Sequence, residues 1–270
     1  MEQREIKMNL ELEGRVALVT GASKGIGKAI ALAFAGAGVY PCILSRSKEN
    51  LTVAAEEIEK VTSIKPLTIS GDVGDPELIG LAVRQVMDGQ GRLDILVNNA
   101  EGPPMGSFME HDDGVWNEAY NRCLLAPVRF SRLVVPIMKA HSWGRIINIT
   151  SVLAKEPTPA MVLSATLRAG VSAFAKAIAI ELAPFGITVN TVCPSAVRTE
   201  RMENLTRQAA MRQGKTYEEV LDQGQKMIPM GRFSTPKEIG DLVLFLTSER
   251  ASYITGTSIV IDGGSTRSVF

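Results

Sequence analysis

Apolar and polar positions follow two rhythms along this chain. Short apolar or β-branched runs lie at 15–20 (RVALVT), 40–45 (YPCILS), 67–70, 94–97, 145–150, 188–192 and 258–261. Between them, apolar residues return every three or four positions, the spacing of a helix with one buried face. Those stretches run from the glycines after residue 20 to about 37, then over 51–61, 76–87, 116–139, 164–183 and 237–246. Pro76 suits a first helical turn, where its missing N–H costs nothing. Residues 116–139 read as one long helix despite Pro127 and Pro136. Strand and helix alternate throughout, which predicts a single α/β domain over 1–270: a doubly wound parallel sheet of about seven strands, helices on both faces.

The helix over 164–183 has two distinct stripes. Leu167, Val171, Phe174, Ile178 and Leu182 recur at helical spacing and are expected on the sheet. Ala165, Ala169, Ala173 and Ala177 form a small-residue stripe that permits close approach of another helix, from inside the molecule or from a second copy. The stretch 194–233 is long for a connection and is expected to fold as helices that cover a site, with Met202, Met211, Met227 and Met230 as adaptable apolar lining. Its basic residues suit either solvated helix faces or a phosphorylated acyl carrier.

Composition narrows the function classes. The chain has 270 residues, 45% of them hydrophobic, enough to bury both faces of a sheet. Lys plus Arg equals Asp plus Glu at 29 each, which argues against a dedicated nucleic-acid binder. No run approaches eighteen uninterrupted apolar residues, and the charged start MEQREIKMNLELEG lacks the apolar core of a signal peptide. Cys42, Cys123 and Cys193 are odd in number and widely spaced, as reduced thiols of a cytoplasmic protein would be. His111 and His141 are the only histidines, and neither sits in a metal-ligand pattern.

The chemistry starts at VALVTGASKGIG, residues 16–27. A strand, a glycine turn and a helix start make a phosphate cradle: the backbone approaches closely where no Cβ intervenes, and the first-turn N–H groups face an anion. Gly21, Gly25 and Gly27 are spaced G-x-x-x-G-x-G around Ser23, Lys24 and Ile26. About twenty residues on, a site for NAD offers an acid to the ribose. Here the second strand ends ILSRSK with no acid between Tyr40 and Lys48. Arg46 and Lys24 are either solvated bases or partners of a 2′-phosphate, and their coincidence with both cofactor positions favours NADP.

TGASKGIG resembles the cofactor turn of the short-chain dehydrogenase/reductase family, and later motifs extend the likeness over nearly the whole chain, most closely to 3-oxoacyl-carrier-protein reductases. The resemblance implies a Rossmann-type fold and a homodimer or homotetramer packed through the helix after Ser164. It places Asp72, with Val73 beside it, near the adenine, although a turn aspartate bonding its own backbone would look the same. Asn98-Asn99-Ala100 matches the family's NNAG, with Asn98 tying adjacent strands, Ala100 beside the cofactor and Glu101 in place of the glycine. Pro194-Ser195-Ala196-Val197 resembles the segment that wraps the nicotinamide, and Thr199 stands where a hydroxyl meets the nicotinamide or a diphosphate oxygen. ITGTSIVIDGG (254–264) matches the C-terminal structural signature.

The family reduces carbonyls with a Ser, a Tyr and a Lys, helped by an Asn. Ser151, closing INITS, stands at the Ser position; thirteen residues on, Ser164 replaces the Tyr, and four further Arg168 replaces the Lys. The Asn position falls on Cys123, with Asn121 expected on another side of the helix. A serine hydroxyl is shorter and far less acidic than a phenol, and Arg168 holds ribose oxygens and positive charge without shuttling a proton. The implied activity is NADP-dependent reduction of a ketone or 3-oxoacyl thioester with Ser151, Ser164 and Arg168 as its catalytic set. An enoyl (C=C) reductase and a catalytically impaired nucleotide-binding homologue are the alternatives.

Overall fold

Each of the apolar runs becomes a strand of one parallel sheet. In the computed structural model, which describes residues 9–269, the strands are β1 (Val16–Thr20), β2 (Tyr40–Ser45), β3 (Leu67–Ser70), β4 (Ile95–Asn98), β5 (Gly144–Ile149), β6 (Ile187–Pro194) and β7 (Ser258–Ile261). Their order is β3-β2-β1-β4-β5-β6-β7, every pairing parallel. The direction of winding reverses between β1 and β4, where the loops leaving the two strand ends part and leave a crevice.

Alternation along the strands feeds two cores. Ala17 and Val19 of β1 point to a layer built by α1 (Gly25–Gly36), α2 (Lys48–Thr62) and α9 (Pro236–Thr247). Val16 and Leu18 point to the opposite layer of α3 (Pro76–Gln90), α5 (Ala126–Ala140) and α6 (Val162–Leu182). Both faces are covered, so the strands read as continuous apolar runs rather than alternating ones.

Two sequence expectations change in detail. The long helix over 116–139 is α4 (Asp113–Tyr120), a π turn (Asn121–Leu125) and α5; the Ala126 N–H reaches back to the Asn121 carbonyl, and Pro127, next in the chain, has no N–H to continue that bonding. On α6 the buried line is Leu163, Leu167, Val171, Ala175, Ala179 and Leu182; Phe174 and Ile178, expected on the sheet, are only half-buried. The small residues bring this helix close to the sheet; Ile178 still packs at the margin of that core, whereas Phe174 does not join it. Of the alanine stripe, Ala165 is buried while Ala169, Ala173 and Ala177 face outward.

By length and composition the stretch Val162–Phe185 is apolar enough to cross a membrane. Here its apolar line is spent on the sheet core. The segment 194–233 contains α7 (Glu200–Gln213) and α8 (Tyr217–Lys226). The signal-peptide reading of the N-terminus falls mostly on residues 1–8, outside the described residues.

Candidate active site

The glycine turn is held rigidly at the sheet's reversal point. Gly21 and Gly25 have φ of +58° and +55°, a region that penalises any residue with a Cβ. Gly27 is closed in differently: a Cβ there would collide with the Gly21 carbonyl oxygen and lie 2.8 Å from the Ala22 Cα. The Ala22 N–H donates to the Leu44 carbonyl at 3.1 Å and the Ser23 and Ser45 hydroxyls meet at 2.9 Å, which stitches the turn to β2. From β4, the Asn99 N–H donates to the Thr20 hydroxyl at 2.9 Å and its amide to the Gly21 carbonyl at 3.0 Å.

Lys24 caps α1 without a side-chain hydrogen bond, whereas Ser47, Asp75, Asp112, Thr199, Thr216 and Thr235 each cap their helices with a side-chain oxygen. The amides opening α1 are thus left for an external acceptor, at the strand end where α/β sheets bind ligands. The turn and its uncapped helix fit the diphosphate of a dinucleotide. Ile26 packs its side chain against the core behind them.

The predicted phosphate-binding cations lie at the mouth, each held by an acid. Arg46 Nη2 is 2.6 Å from Glu101 Oε2, and Lys24 Nζ is 2.9 Å from Glu200 Oε2. Asp72 bonds its own turn, accepting from the Gly74 N–H at 2.8 Å, and also takes both Nε and Nη2 of Arg122. Burial raises the Asp72 pKa, but Arg122 and the Gly74 amide more than offset it and hold the carboxyl below its ordinary value. Val73 lines the cleft beside it. Asn98 is buried and donates to Asn148 Oδ1 at 2.9 Å, joining β4 to β5.

Deeper in, the cleft is lined by Thr20, Asn98, Ala100, Cys123, Ile149 and Arg168, among others, and encloses about 400 Å³ including its open mouth. Arg168 is braced from several sides: Nε donates to Ser164 Oγ at 3.1 Å, and Nη1 to the Ile149 carbonyl at 3.1 Å and to the Thr150 carbonyl. Burial pulls its pKa below the ordinary arginine value, yet a guanidinium stays protonated at any working pH. Ser164 is buried behind it, at 3% exposure, and reaches the cleft through this contact. Ser151 leaves β5 in extended conformation and accepts from the Leu153 N–H at 3.2 Å.

The π turn rotates Cys123 toward the cleft, with Sγ 3.9 Å from the Glu101 carbonyl, while Asn121 turns back to donate to the Asn117 carbonyl. Burial raises the Cys123 thiol's pKa despite the nearby arginines, so it remains a neutral lining group.

From the other side, Pro194 ends β6 and Val197 is buried where it bridges Ser234. Thr199 caps α7, and a Cβ on Gly25 would lie 3.2 Å from its Cγ2, so α7 begins directly over the glycine turn. The structure therefore gathers the predicted cofactor residues of both chain halves around one crevice. Four contributors lie outside the sequence-derived site set: Asn99, Arg122, Arg201 and Glu200. The NNA triplet already pointed to Asn99 and the basic residues of 194–233 included Arg201, whereas Arg122 and Glu200 carry no local signal.

Comparison with known proteins agrees with this layout. A family model described as Enoyl-(Acyl carrier protein) reductase matches residues 21–266. Oxidoreductase UcpA of Escherichia coli (strain K12) is 36% identical over 269 residues, covering 95% of this chain and 96% of that one. The 3-oxoacyl-[acyl-carrier-protein] reductase FabG of Aquifex aeolicus is 35% identical, covering 95% and 99%. L-sorbose reductase from Gluconobacter frateurii, solved in complex with NADPH and L-sorbose, superposes with a TM-score of 0.93 at 31% identity, covering 97% of this chain and 100% of that one. A crevice at the sheet's reversal point, a glycine turn opening an uncapped helix and this full-length similarity together make the chain a member of the short-chain dehydrogenase/reductase family.

Proposed function

We propose that this oxidoreductase uses NADPH to reduce a ketone or 3-oxoacyl thioester, through an atypical catalytic set of Ser151, Ser164 and Arg168. The observation that carries the reading is Arg168: a fixed guanidinium in the cleft at the reversal point, bonded to the carbonyl just before Ser151. NADPH supplies a hydride to the substrate carbonyl carbon. Ser151 donates its hydroxyl proton in a hydrogen bond to the carbonyl oxygen, and Arg168 supplies positive charge as that oxygen becomes negative. Ser164 accepts from Arg168 Nε and so fixes the guanidinium plane. With no phenol at position 164 and Ser164 buried behind Arg168, the proton that completes the alcohol comes from water on the Ser151 side. Lys24 and Arg46 read the 2′-phosphate, and the segment 194–233 covers the substrate. NADPH appears in the printed description of the sorbose reductase complex, which supports the cofactor assignment.

A second reading, reduction of an enoyl thioester, is favoured by the description of the matching family model. It needs an enolate oxygen stabilised and a proton delivered to carbon, for which Ser151 and Arg168 also serve.

Parallel NADPH-oxidation assays with 3-oxoacyl and enoyl thioesters separate the two. Arg168→Ala is expected to weaken NADPH binding and to lower kcat/KM by roughly 10²–10³, whereas Ser164→Ala keeps NADPH affinity and loses most turnover. Ketone reduction that appears only when Ser164, Arg168 and Cys123 are replaced by Tyr, Lys and Asn, the parent being inactive on a broad panel, would show a binding protein instead.

A further inference from the structure

Both cations assigned to the 2′-phosphate are already paired, and both counter-anions connect to the cap. Glu101 holds Arg46 at 2.6 Å with one oxygen and Arg201 of α7 at 3.4 Å with the other. Arg201 also donates to the Pro103 carbonyl at 3.1 Å and lies over Gly102, where a Cβ would sit 3.1 Å from its Nη2 and 3.3 Å from that of Arg168. Glu200, beside Arg201, holds Lys24. The start of α7 is therefore strapped to the cofactor mouth by charges that the cofactor itself would contest.

We propose that Glu101 is a shared counter-anion that couples the cofactor's 2′-phosphate to closure of α7. The Arg46–Glu101 pair is exposed on both sides, at 56% and 61%, so it is weak and easily exchanged. A phosphate monoester carries about −1.5 to −2 charge and three strong acceptor oxygens, and outcompetes one carboxylate for a guanidinium. Once the phosphate takes Arg46, Glu101 is repelled from it and closes on Arg201, fastening α7 over the cleft. NADH has no phosphate and leaves Glu101 on Arg46. Glu101 thus sets cofactor discrimination in two opposing ways: it competes with the phosphate for Arg46, and it reports the phosphate to the cap.

This inference rests on the 2′-phosphate reading of Arg46, and the test keeps the two apart. NADPH and NADH dissociation constants are measured by fluorescence titration, and amide hydrogen exchange over 200–213 is followed with each cofactor, for the parent, Glu101→Gln and Arg46→Ala. In the parent, NADPH protects α7 more than NADH does. In Glu101→Gln, NADPH binds roughly fivefold tighter because a like charge is removed, NADH affinity stays within about twofold, and the two cofactors protect α7 alike. A Glu101→Gln protein in which NADPH still protects α7 more than NADH does overturns the coupling, even if Arg46→Ala erases an NADPH preference. Equal affinities in the parent, unmoved by Arg46→Ala, overturn the phosphate assignment and the coupling with it.

Discussion

At the scale of single residues, the glycine turn shows how one missing Cβ decides a site. Gly27 is buried against the Gly21 carbonyl and the Ala22 Cα, so Gly27→Ala forces the turn apart. Overpacking of this kind costs about 1–3 kcal/mol, and here it also displaces the amides that face the diphosphate. Gly36, the exposed last residue of α1, has nothing within 4 Å of its would-be Cβ. Gly36→Ala is expected to stabilise by about 0.5–1 kcal/mol. Urea denaturation of both variants, with NADPH titration alongside, checks the contrast; similar shifts in the two would show that crowding at Gly27 is not the cause. Local spacing identified Gly21, Gly25 and Gly27 because the turn is contiguous in the chain. It could not rank them, since what crowds them comes partly from distant residues: Asn99 beside Gly21 and Gly27, and Thr199 beside Gly25.

At the scale of elements, side-chain caps fix where most of the helices start, while α1, opening on the glycine turn, has none. The α9 N-terminus carries a complete capping box: Thr235 accepts from the Glu238 N–H at 3.3 Å, and Glu238 accepts from the Thr235 N–H at 2.7 Å. Thr235→Ala is expected to cost about 1 kcal/mol. The side-chain bonds from Arg232, with the Thr235 amide, lower the Glu238 pKa to about 2. Because the folded pKa lies below the ordinary value of 4.5, the charge-dependent stabilisation is complete above that value and is lost as pH falls toward about 2. The stability difference between the parent and Glu238→Gln should shrink across that window. A difference that holds constant down to pH 2 would separate the cap from the ionisation of Glu238.

Helix packing sets the lateral placement of the site as well. Periodicity read 116–139 as one helix, and the backbone direction does continue across the break. The π turn, however, inserts a local rotation that exposes Cys123 to the cleft and withdraws Asn121. Such a turn holds one extra residue, a single-position phase shift that a coarse reading of helical spacing passes over.

At the scale of the whole molecule, α6 serves two surfaces. Its inner line builds the core, while Ala169, Ala173 and Ala177 face outward with Ile180 at 71% exposure. A strip of small residues ending in an exposed isoleucine suits a close helix–helix contact with a second copy, the homodimer or homotetramer that the family resemblance implies. Ala173→Arg is expected to lower the sedimentation mass of the protein by at least half while its circular dichroism and NADPH binding persist. An unchanged mass would place any assembly on another face.

What the sequence determined by itself was the list of parts: seven apolar runs, the helices between them, the glycine turn, and the candidate positions 151, 164 and 168. The runs, the helices and the turn depend on neighbours a few residues away, which periodicity and turn chemistry report directly; positions 151, 164 and 168 came from the family resemblance of the motifs around them. The tertiary structure alone decided which charges meet. Glu101 finds Arg46 across 55 residues and Arg201 across 100, and Lys24 finds Glu200 across 176. Those pairings follow from the strand order β2-β1-β4 and from where α7 crosses the crevice. Likewise, only packing turned Ala175 and Ala179 fully inward, left Ile178 packed at the margin of the same core and kept Phe174 out of it, because the distance between helix and sheet selects side chains by size as well as by hydrophobicity.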